Sequence, residues 1–262
     1  MHRSKMTSAA LVVLLAAPWS VVAAQKKSNP CATNDTTVWK FTVTPYTWAI
    51  GIRGDVGVRG RTAHVSVSFD QVLKHLDGAF MLPMEFTKGR FGIGAEVIYV
   101  KLSDDKATAG LLFTGADADV KQWIVSLAPR IRVASTNRVQ ADVIFGARLW
   151  SLDNSVTLHR VNGRDIETGL NNTWVDAFGG GRVFYKLTDR WLVQVRGDVG
   201  GFGSLLSWQA IGLVDYRANS RITLRAGYRQ LDVDFHDGGK GLIYDVGIGG
   251  PIVGVSINFG KH

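Results

Sequence analysis

Cysteine is almost missing from this chain. Cys31 is the single one among 262 residues, so no disulfide can form within the chain, whatever the redox compartment. It does not read as a lipid-anchored cysteine either, because Ser28-Asn29-Pro30 lack the apolar, small pattern such a site needs. Long apolar runs are also missing. Beyond residue 24 no segment approaches the roughly 20 apolar residues of a membrane-spanning helix. Catalytic signatures are absent as well: there is no Gly-x-Ser-x-Gly, no His-Glu-x-x-His and no glycine loop followed by a phosphate-binding lysine, which excludes the enzyme classes built on them. Proline is scarce, and residues 38–259 read as one domain rich in glycine and aromatics.

The start of the chain has the character of an export label. Arg3 and Lys5 are basic, Ala9 to Ala17 is a short apolar run, and Val22-Ala23-Ala24 supplies small residues before Gln25. Residues 1–24 are therefore expected to be a signal peptide cleaved after Ala24. Residues 25–37 are polar and expected to be a flexible periplasmic lead-in, and 260–262 a short C-terminal tail. The formal net charge of +8 comes from basic residues dispersed over strands and turns. That dispersal, together with export, argues against nucleic acid as a partner and makes phosphate-bearing lipopolysaccharide the expected acidic neighbour.

From Val38 onward the hydrophobic period is two, and the helical period barely appears. Trp191, Val193, Val195 and Val199 share one face, while Gln194, Arg196 and Asp198 share the other. Leu206, Trp208, Ala210, Val214 and Tyr216 similarly oppose Ser207, Gln209, Asp215 and Arg217. Two-faced strands also occur in soluble sheets, so length and end chemistry must decide. The runs Arg90–Leu102, Val120–Ala134, Arg138–Leu152, Trp174–Leu187, Trp191–Phe202 and Ile222–Asp234 reach the roughly 9–11 residues of a tilted spanning strand, against about 5 or 6 for a typical soluble one.

The connections alternate in kind. Tight polar turns at Lys88-Gly89-Arg90, Ser135-Thr136-Asn137-Arg138, Thr188-Asp189-Arg190 and Ala218-Asn219-Ser220-Arg221 alternate with longer or glycine-rich stretches at Gly51–Gly78, Ser103–Asp119, Asp153–Asn172, Gly200–Ser204 and His236–Gly241. Short periplasmic turns opposite long outer loops are the pattern of an outer-membrane barrel. The expected fold is thus an all-β, antiparallel, up-and-down transmembrane β-barrel over 38–259. Ten strands are counted: the six runs above with Val38–Ile50, Ala79–Thr87, Leu205–Arg217 and Ile243–Phe259. Within Gly51–Gly78, a hairpin about Arg59-Gly60-Arg61 and a short helix Asp70–Leu76 are expected in the first outer loop, folded back into the lumen. A hairpin joining the wall would make twelve strands; eight is the smaller alternative.

The stretches Thr44-Pro45-Tyr46-Thr47-Trp48, Gly51-Ile52-Arg53-Gly54-Asp55-Val56, Ser68-Phe69-Asp70-Gln71-Val72-Leu73, Gly197 to Gly203 and Ala226 to Leu231 resemble small proteobacterial outer-membrane β-barrel proteins of unassigned role. The resemblance runs from about Trp39 to Phe259 and implies an architecture, with no activity attached. It also makes Val253, Val255, Ile257 and the aromatic Phe259 resemble the signal read by barrel-insertion machinery, although Gly260-Lys261-His262 follow the aromatic here.

Two sets of residues follow from the alternation. Membrane-interface aromatics are expected at Trp39, Phe91, Trp123, Trp174, Tyr185, Trp191, Trp208, Tyr216 and Tyr228. Taking the polar face of each strand as inward gives a lumen charge network of Lys40, Glu85, Glu96, Arg130, Arg132, Asp142, Arg148, Asp176, Arg182, Arg196, Asp198, Asp215, Arg225 and Arg229. Charges of both signs in a narrow tube should pair, because an unpaired ion there is costly. No cofactor and no metal is expected, with Asp104, Asp105, Asp117 and Asp119 read as loop acids and His64, His75, His159 and His236 as loop histidines.

The leading functional expectation is a non-enzymatic outer-membrane protein in contact with outer-membrane lipid. It would have a structural or surface-interaction role, or act as a narrow charge-lined channel for small solutes with a slight anion preference. Two alternatives are an outer-membrane enzyme using His236 or His159 at the outer rim on lipid or peptide, and a soluble periplasmic barrel binding a small apolar ligand.

Overall fold

The structure, a computed structural model, describes residues 38–58, 61–107, 113–160, 166–239 and 241–259. The expected signal peptide through Ala24, the lead-in with Cys31, and the tail 260–262 lie outside the described residues. The elements are β1 (Lys40–Val43), β2 (Tyr46–Trp48), β3 (Gly51–Val58), β4 (Arg61–Val67), α1 (Phe69–Lys74), β5 (Leu76–Lys88), β6 (Phe91–Ala107), β7 (Phe113–Ser135), β8 (Val139–Arg160), β9 (Ile166–Lys186), β10 (Trp191–Gly201), β11 (Leu206–Arg217), β12 (Ile222–Asp237) and β13 (Leu242–Phe259).

Every strand pairing is antiparallel, and β5 to β13 pair in chain order. The sheet closes where the first strand meets the last. Phe41 opposes Phe259, Trp48 opposes Ile252 and Val58 opposes Leu242, one unbroken register, so β1, β2 and β3 are a single wall strand with two interruptions. The result is a closed barrel of ten strands. The second interruption is a tight turn in which the Ile50 N–H donates to the Trp48 carbonyl at 3.0 Å. Opposite it lies Gly250, where a Cβ would run into the Ala49 carbonyl oxygen.

Three of the four tight turns share one device. A side-chain oxygen accepts the backbone N–H that opens the next strand: Thr136 Oγ1 from Val139 at 2.9 Å, Thr188 Oγ1 from Trp191 at 3.1 Å, and Asn219 Oδ1 from Ile222 at 2.9 Å. Such local caps fix the turn without tertiary help. The fourth turn uses Gly89 in the left-handed region, with φ 57°, the conformation glycine adopts at no steric cost.

The segment Gly51–Gly78 departs from the sequence reading. Its first part is wall rather than loop, because β3 continues the first strand along β13 and β4 folds back on β3, pairing Ile52 with Val67 and Val58 with Arg61. The count nevertheless stays at ten, since β4 takes the place that β5 vacates. β5 and the first strand part after the Thr44 N–H bonds the Pro83 carbonyl at 2.9 Å, where Pro45 and Pro83 have no N–H with which to continue the ladder. The helix runs Phe69–Lys74, shorter than expected, with the Ser68 N–H donating to the Gln71 side chain at 2.9 Å and Asp70 in its first turn. It turns Val72, 3% exposed, into the core.

Two other expected loops are mostly strand. β6 and β7 stay paired past Ser103↔Asp119 to Ala107↔Ala116, and β8 and β9 past Asp153↔Asn171 to Leu158↔Ile166. Backbone pairing continues wherever the partner is in register, whether or not the surrounding side chains are apolar.

Around the barrel the outward face is an apolar belt: Ile93, Leu127, Phe145, Val183, Val195, Leu224 and Val253 are all exposed. A continuous belt of this kind is a poor surface in water and a matching one in hydrocarbon. On one side it is bounded by the row Phe80, Tyr99 and Trp123, with the last two rings 4.4 Å apart. Trp39, Phe91, Tyr185 and Trp191 lie toward the short-turn end. Val195, 58% exposed and four residues from Trp191, lies within the belt. Val195→Arg is expected to cost about 2–4 kcal/mol, the penalty for a lipid-facing charge, measurable by equilibrium refolding into vesicles; an effect below about 0.5 kcal/mol would contradict a lipid-facing position.

Candidate functional site: the barrel lumen

The barrel interior is layered. Nearest the short turns, three guanidinium groups surround two carboxylates. Arg130 contacts Glu85 at 2.7 Å and Asp142 at 3.1 Å, Arg182 contacts the same two at 2.8 and 3.0 Å, and Arg132 reaches Asp142 at 2.9 Å. On another part of the wall Arg225 pairs with Asp215 at 2.7 Å. A hydroxyl pair, Thr44 and Ser256 at 2.8 Å, bridges the closing strands.

The next layer is more deeply buried. Arg229, 1% exposed, binds Glu96 through both terminal nitrogens at 2.7 and 3.0 Å, and donates to the Tyr46 hydroxyl at 2.6 Å and to the Gln209 carbonyl oxygen. Tyr46 in turn donates to Glu96 at 2.9 Å. Gln209 donates to Asp198 at 2.9 Å, where Arg148 at 2.7 Å and Arg196 at 3.0 Å also converge. The guanidiniums lie against rings as well as carboxylates: Arg148 over Phe178 at 4.7 Å, Arg182 over Phe184 at 4.8 Å and Arg229 over Trp48 at 4.8 Å. Planar, delocalised and weakly hydrated, guanidinium tolerates this enclosure better than ammonium does.

Beyond Trp48 the interior turns apolar. Trp48, Trp150, Trp174, Leu231, Phe235 and Tyr244 form one buried cluster with Val72 of α1. Trp174 stacks on Phe235 with centroids 3.9 Å apart, and the Gln122 side chain donates to the Tyr244 hydroxyl at 3.1 Å. This packed layer plugs the end opposite the short turns. Below it lies a vestibule of about 830 Å³, open toward the short-turn end and lined by Lys40, Thr42, Glu85, Arg130, Arg182, Arg196, Arg217, Arg225 and Arg229 among others.

Placed on this map, the expected lumen charges have different fates. Arg130, Arg132, Arg182, Glu85 and Asp142 form the lower cluster; Arg148, Arg196, Asp198, Arg229 and Glu96 form the deeper one; Asp215 and Arg225 form a separate pair. Lys40 lies at the mouth and is exposed. Asp176 is fully buried but joins no ion pair in these clusters, accepting instead from the Ser204 backbone N–H at 2.7 Å and so holding the β10–β11 connection.

Of the expected interface aromatics, Trp39, Phe91, Trp123, Tyr185, Trp191, Trp208 and Tyr228 are exposed on the outer face, and Tyr216 packs beside Trp191 at 4.8 Å. Trp174 is a correction. At 6% exposure it is a core residue of the plug, because it shares inward parity on β9 with Asp176 and Phe178. Val253 and Phe259 are exposed on β13, and Val255 and Ile257 half-buried.

Tyr46 and Gln209 are not among the expected lumen residues, although the alternation sets Gln209 on a polar face, and the plug was not expected. A signal for the plug does exist in the alternation. On β12 the apolar residues are Ile222, Leu224, Ala226 and Tyr228, then Leu231, Val233 and Phe235. The apolar face switches parity at Arg229, from outward to inward. β13 makes the same exchange, with Val253 exposed and Leu242, Tyr244, Val246 and Ile248 buried.

Neither His64 nor His236 lines the vestibule. His236 meets Asp234 at 3.2 Å and His64 meets Asp55 at 2.9 Å, both pairs on the outward face of the strand extensions. Asp55, Asp245 and Asp234 lie directly opposite one another across β3, β13 and β12. His159 and the acids 104, 105 and 117 have side chains outside the described residues. Among the described residues no group of three metal-ligating side chains converges.

Removing Glu96 leaves the Arg229 guanidinium buried without its carboxylate. Glu96→Ala is therefore expected to destabilise the barrel by about 3–5 kcal/mol, whereas the double replacement Glu96→Met with Arg229→Met should cost far less, as for other buried ion pairs exchanged for apolar residues. Urea unfolding of the vesicle-inserted protein measures both; equal losses in the single and double variants would show that the pair is not the unit that matters.

No family model matches the chain, and no curated protein matches it. Among solved structures it is similar to the attachment invasion locus protein Ail of Yersinia pestis in complex with the heparin analogue sucrose octasulfate, at 10% identity over 85% of this chain and 99% of that one, with a TM-score of 0.38. It is similar to the translocator domain of the autotransporter NalP from Neisseria meningitidis at 12% identity, covering 85% and 89% of the two chains, with a TM-score of 0.45. The Pseudomonas putida toluene transporter TodX matches at 12% identity over the same shares, with a TM-score of 0.33. Likenesses this distant say nothing about role, and the barrel rests on its own strand register.

Proposed function

We propose that the chain is an integral, non-enzymatic barrel of a Gram-negative outer membrane, sealed to through-diffusion, with a structural or surface-interaction role. The observation that carries this reading is the parity exchange along single strands. Apolar outside and charged inside suits a lipid-embedded wall, and apolar inside with polar outside suits an extension standing in water. The extension belongs to the end with long connections, which is the outer side in barrels with short periplasmic turns. Its apolar core closes the lumen, so a channel role would require the plug to move.

On this reading β6 to β9, running well past the belt, are paired hairpin strands offered to the outside, and both termini are periplasmic. The enzyme alternative draws no support from His236, which faces outward and does not line the vestibule. General acid–base work needs the catalytic groups in reach of one another at a place a substrate can occupy. We also propose that Val253, Val255, Ile257 and Phe259 serve as the insertion signal, and that outer-membrane lipid and lipopolysaccharide surround the belt.

Fractionation of expressing cells should place the protein in the outer membrane, with a band whose mobility changes on boiling; recovery as a soluble periplasmic protein would overturn the assignment. Reconstituted in a planar bilayer, the wild-type protein should give no steady single-channel conductance, and a stable ohmic current would show that the lumen is open.

A further inference from the structure

We infer that the periplasm-facing vestibule is a binding site for a compact multivalent oxyanion, a solute bearing several phosphate or carboxylate groups. The argument begins with charge. Arg229 with Glu96, and Arg225 with Asp215, are one-to-one pairs. The two remaining clusters differ. Arg148 and Arg196 share Asp198, with buried Asp176 directly opposite Arg148, and are balanced. Arg130, Arg132 and Arg182 share Glu85 and Asp142, one guanidinium more than there are carboxylates, and Lys40 and Arg217 add further charge along the cavity wall.

An excess of fixed positive charge in a narrow, low-dielectric enclosure is costly unless an anion compensates it. The same geometry focuses the field and concentrates anions from the side on which the vestibule opens. Arginine supplies the matching chemistry, since its planar edge binds the paired oxygens of phosphate or carboxylate. Arg182, Arg225 and Arg229 all line the cavity, and the Nε atom of each is buried without a hydrogen-bond partner in the protein. At about 830 Å³ the vestibule falls within the range of small-molecule sites. Because the plug seals the other end, a solute would enter and leave on the periplasmic side and be held rather than passed through.

Titration calorimetry on the full-length protein folded in neutral phosphatidylcholine vesicles or detergent tests this, with tripolyphosphate and citrate as separate probes. Binding of one anion per barrel is expected, weakening as salt is added. Tripolyphosphate binding without citrate binding identifies phosphorylated solutes as the ligand class, and comparable binding of both identifies multivalent oxyanions in general. Arg196→Gln should weaken binding about tenfold, the scale of one charge-assisted hydrogen bond; Asp198 keeps Arg148 and Gln209 as partners, so the fold should tolerate the change. Asp215→Asn should tighten binding several-fold by freeing Arg225. If one variant does not fold, as read from its heat-dependent gel mobility, the other decides. Neither probe binding at millimolar concentration, or unchanged affinity in the folded variants, would overturn the inference.

Discussion

The hydrogen bonds between the first strand and the last close the sheet, and the rest of the molecule follows from that closure. In hydrocarbon no water is available to satisfy a strand edge, so a spanning sheet has to pair every backbone group within itself. One register from Phe41↔Phe259 to Val58↔Leu242 does this over the length of the wall. Closure leaves each strand with one face to the outside and one to the inside, and a period of two then decides, residue by residue, which solvent each side chain meets. Beyond Thr44 and Pro83 the first strand and β5 part, at prolines that lack the donor, and the β3–β4 hairpin takes over.

A strand that leaves the membrane has to exchange its faces. Within the belt, β12 presents Leu224 and Tyr228 outward and Arg225 and Arg229 inward; beyond it, Leu231 and Phe235 turn inward while Asp232 and Asp234 face out. The backbone does not change. Only the phase of the hydrophobic pattern does, and with it the interior passes from an ion-paired layer to a close-packed one. Arg229 sits at the junction, bound to Glu96 on one side and lying under Trp48 on the other. The apolar layer that makes the extension stable in water is also what seals the lumen, so stability and closure share a cause.

The charged layer below has its own logic. Burying this many guanidinium groups is tolerable because carboxylates, amides and rings enclose them, and because Glu85, Asp142 and Asp198 are each shared. Glu85 serves two arginines and Asp142 three. Sharing keeps the network connected across strands that are far apart in sequence, and it leaves the vestibule electropositive toward the side from which it opens.

Much of this was legible in the amino-acid sequence. The period of two gave ten spanning strands, the tight turns showed which end was short, and the polar parity gave the inward charges, because face and turn chemistry are local properties. Trp174 went astray when residue type was weighed above parity, since Asp176 two positions on shares its face. The strand extensions of β6 to β9 were read as loops because their polar composition was taken for irregular backbone. What only the tertiary structure decided is which inward groups meet: Glu85 with Arg182, Glu96 with Arg229, Tyr46 with both of the latter, and α1 with the plug. Such partners meet at sequence separations of up to 183 residues, for the Tyr46–Arg229 pair. Their meeting depends on the barrel's circumference and the stagger of its strands, quantities set by closing the whole sheet and carried by no local pattern.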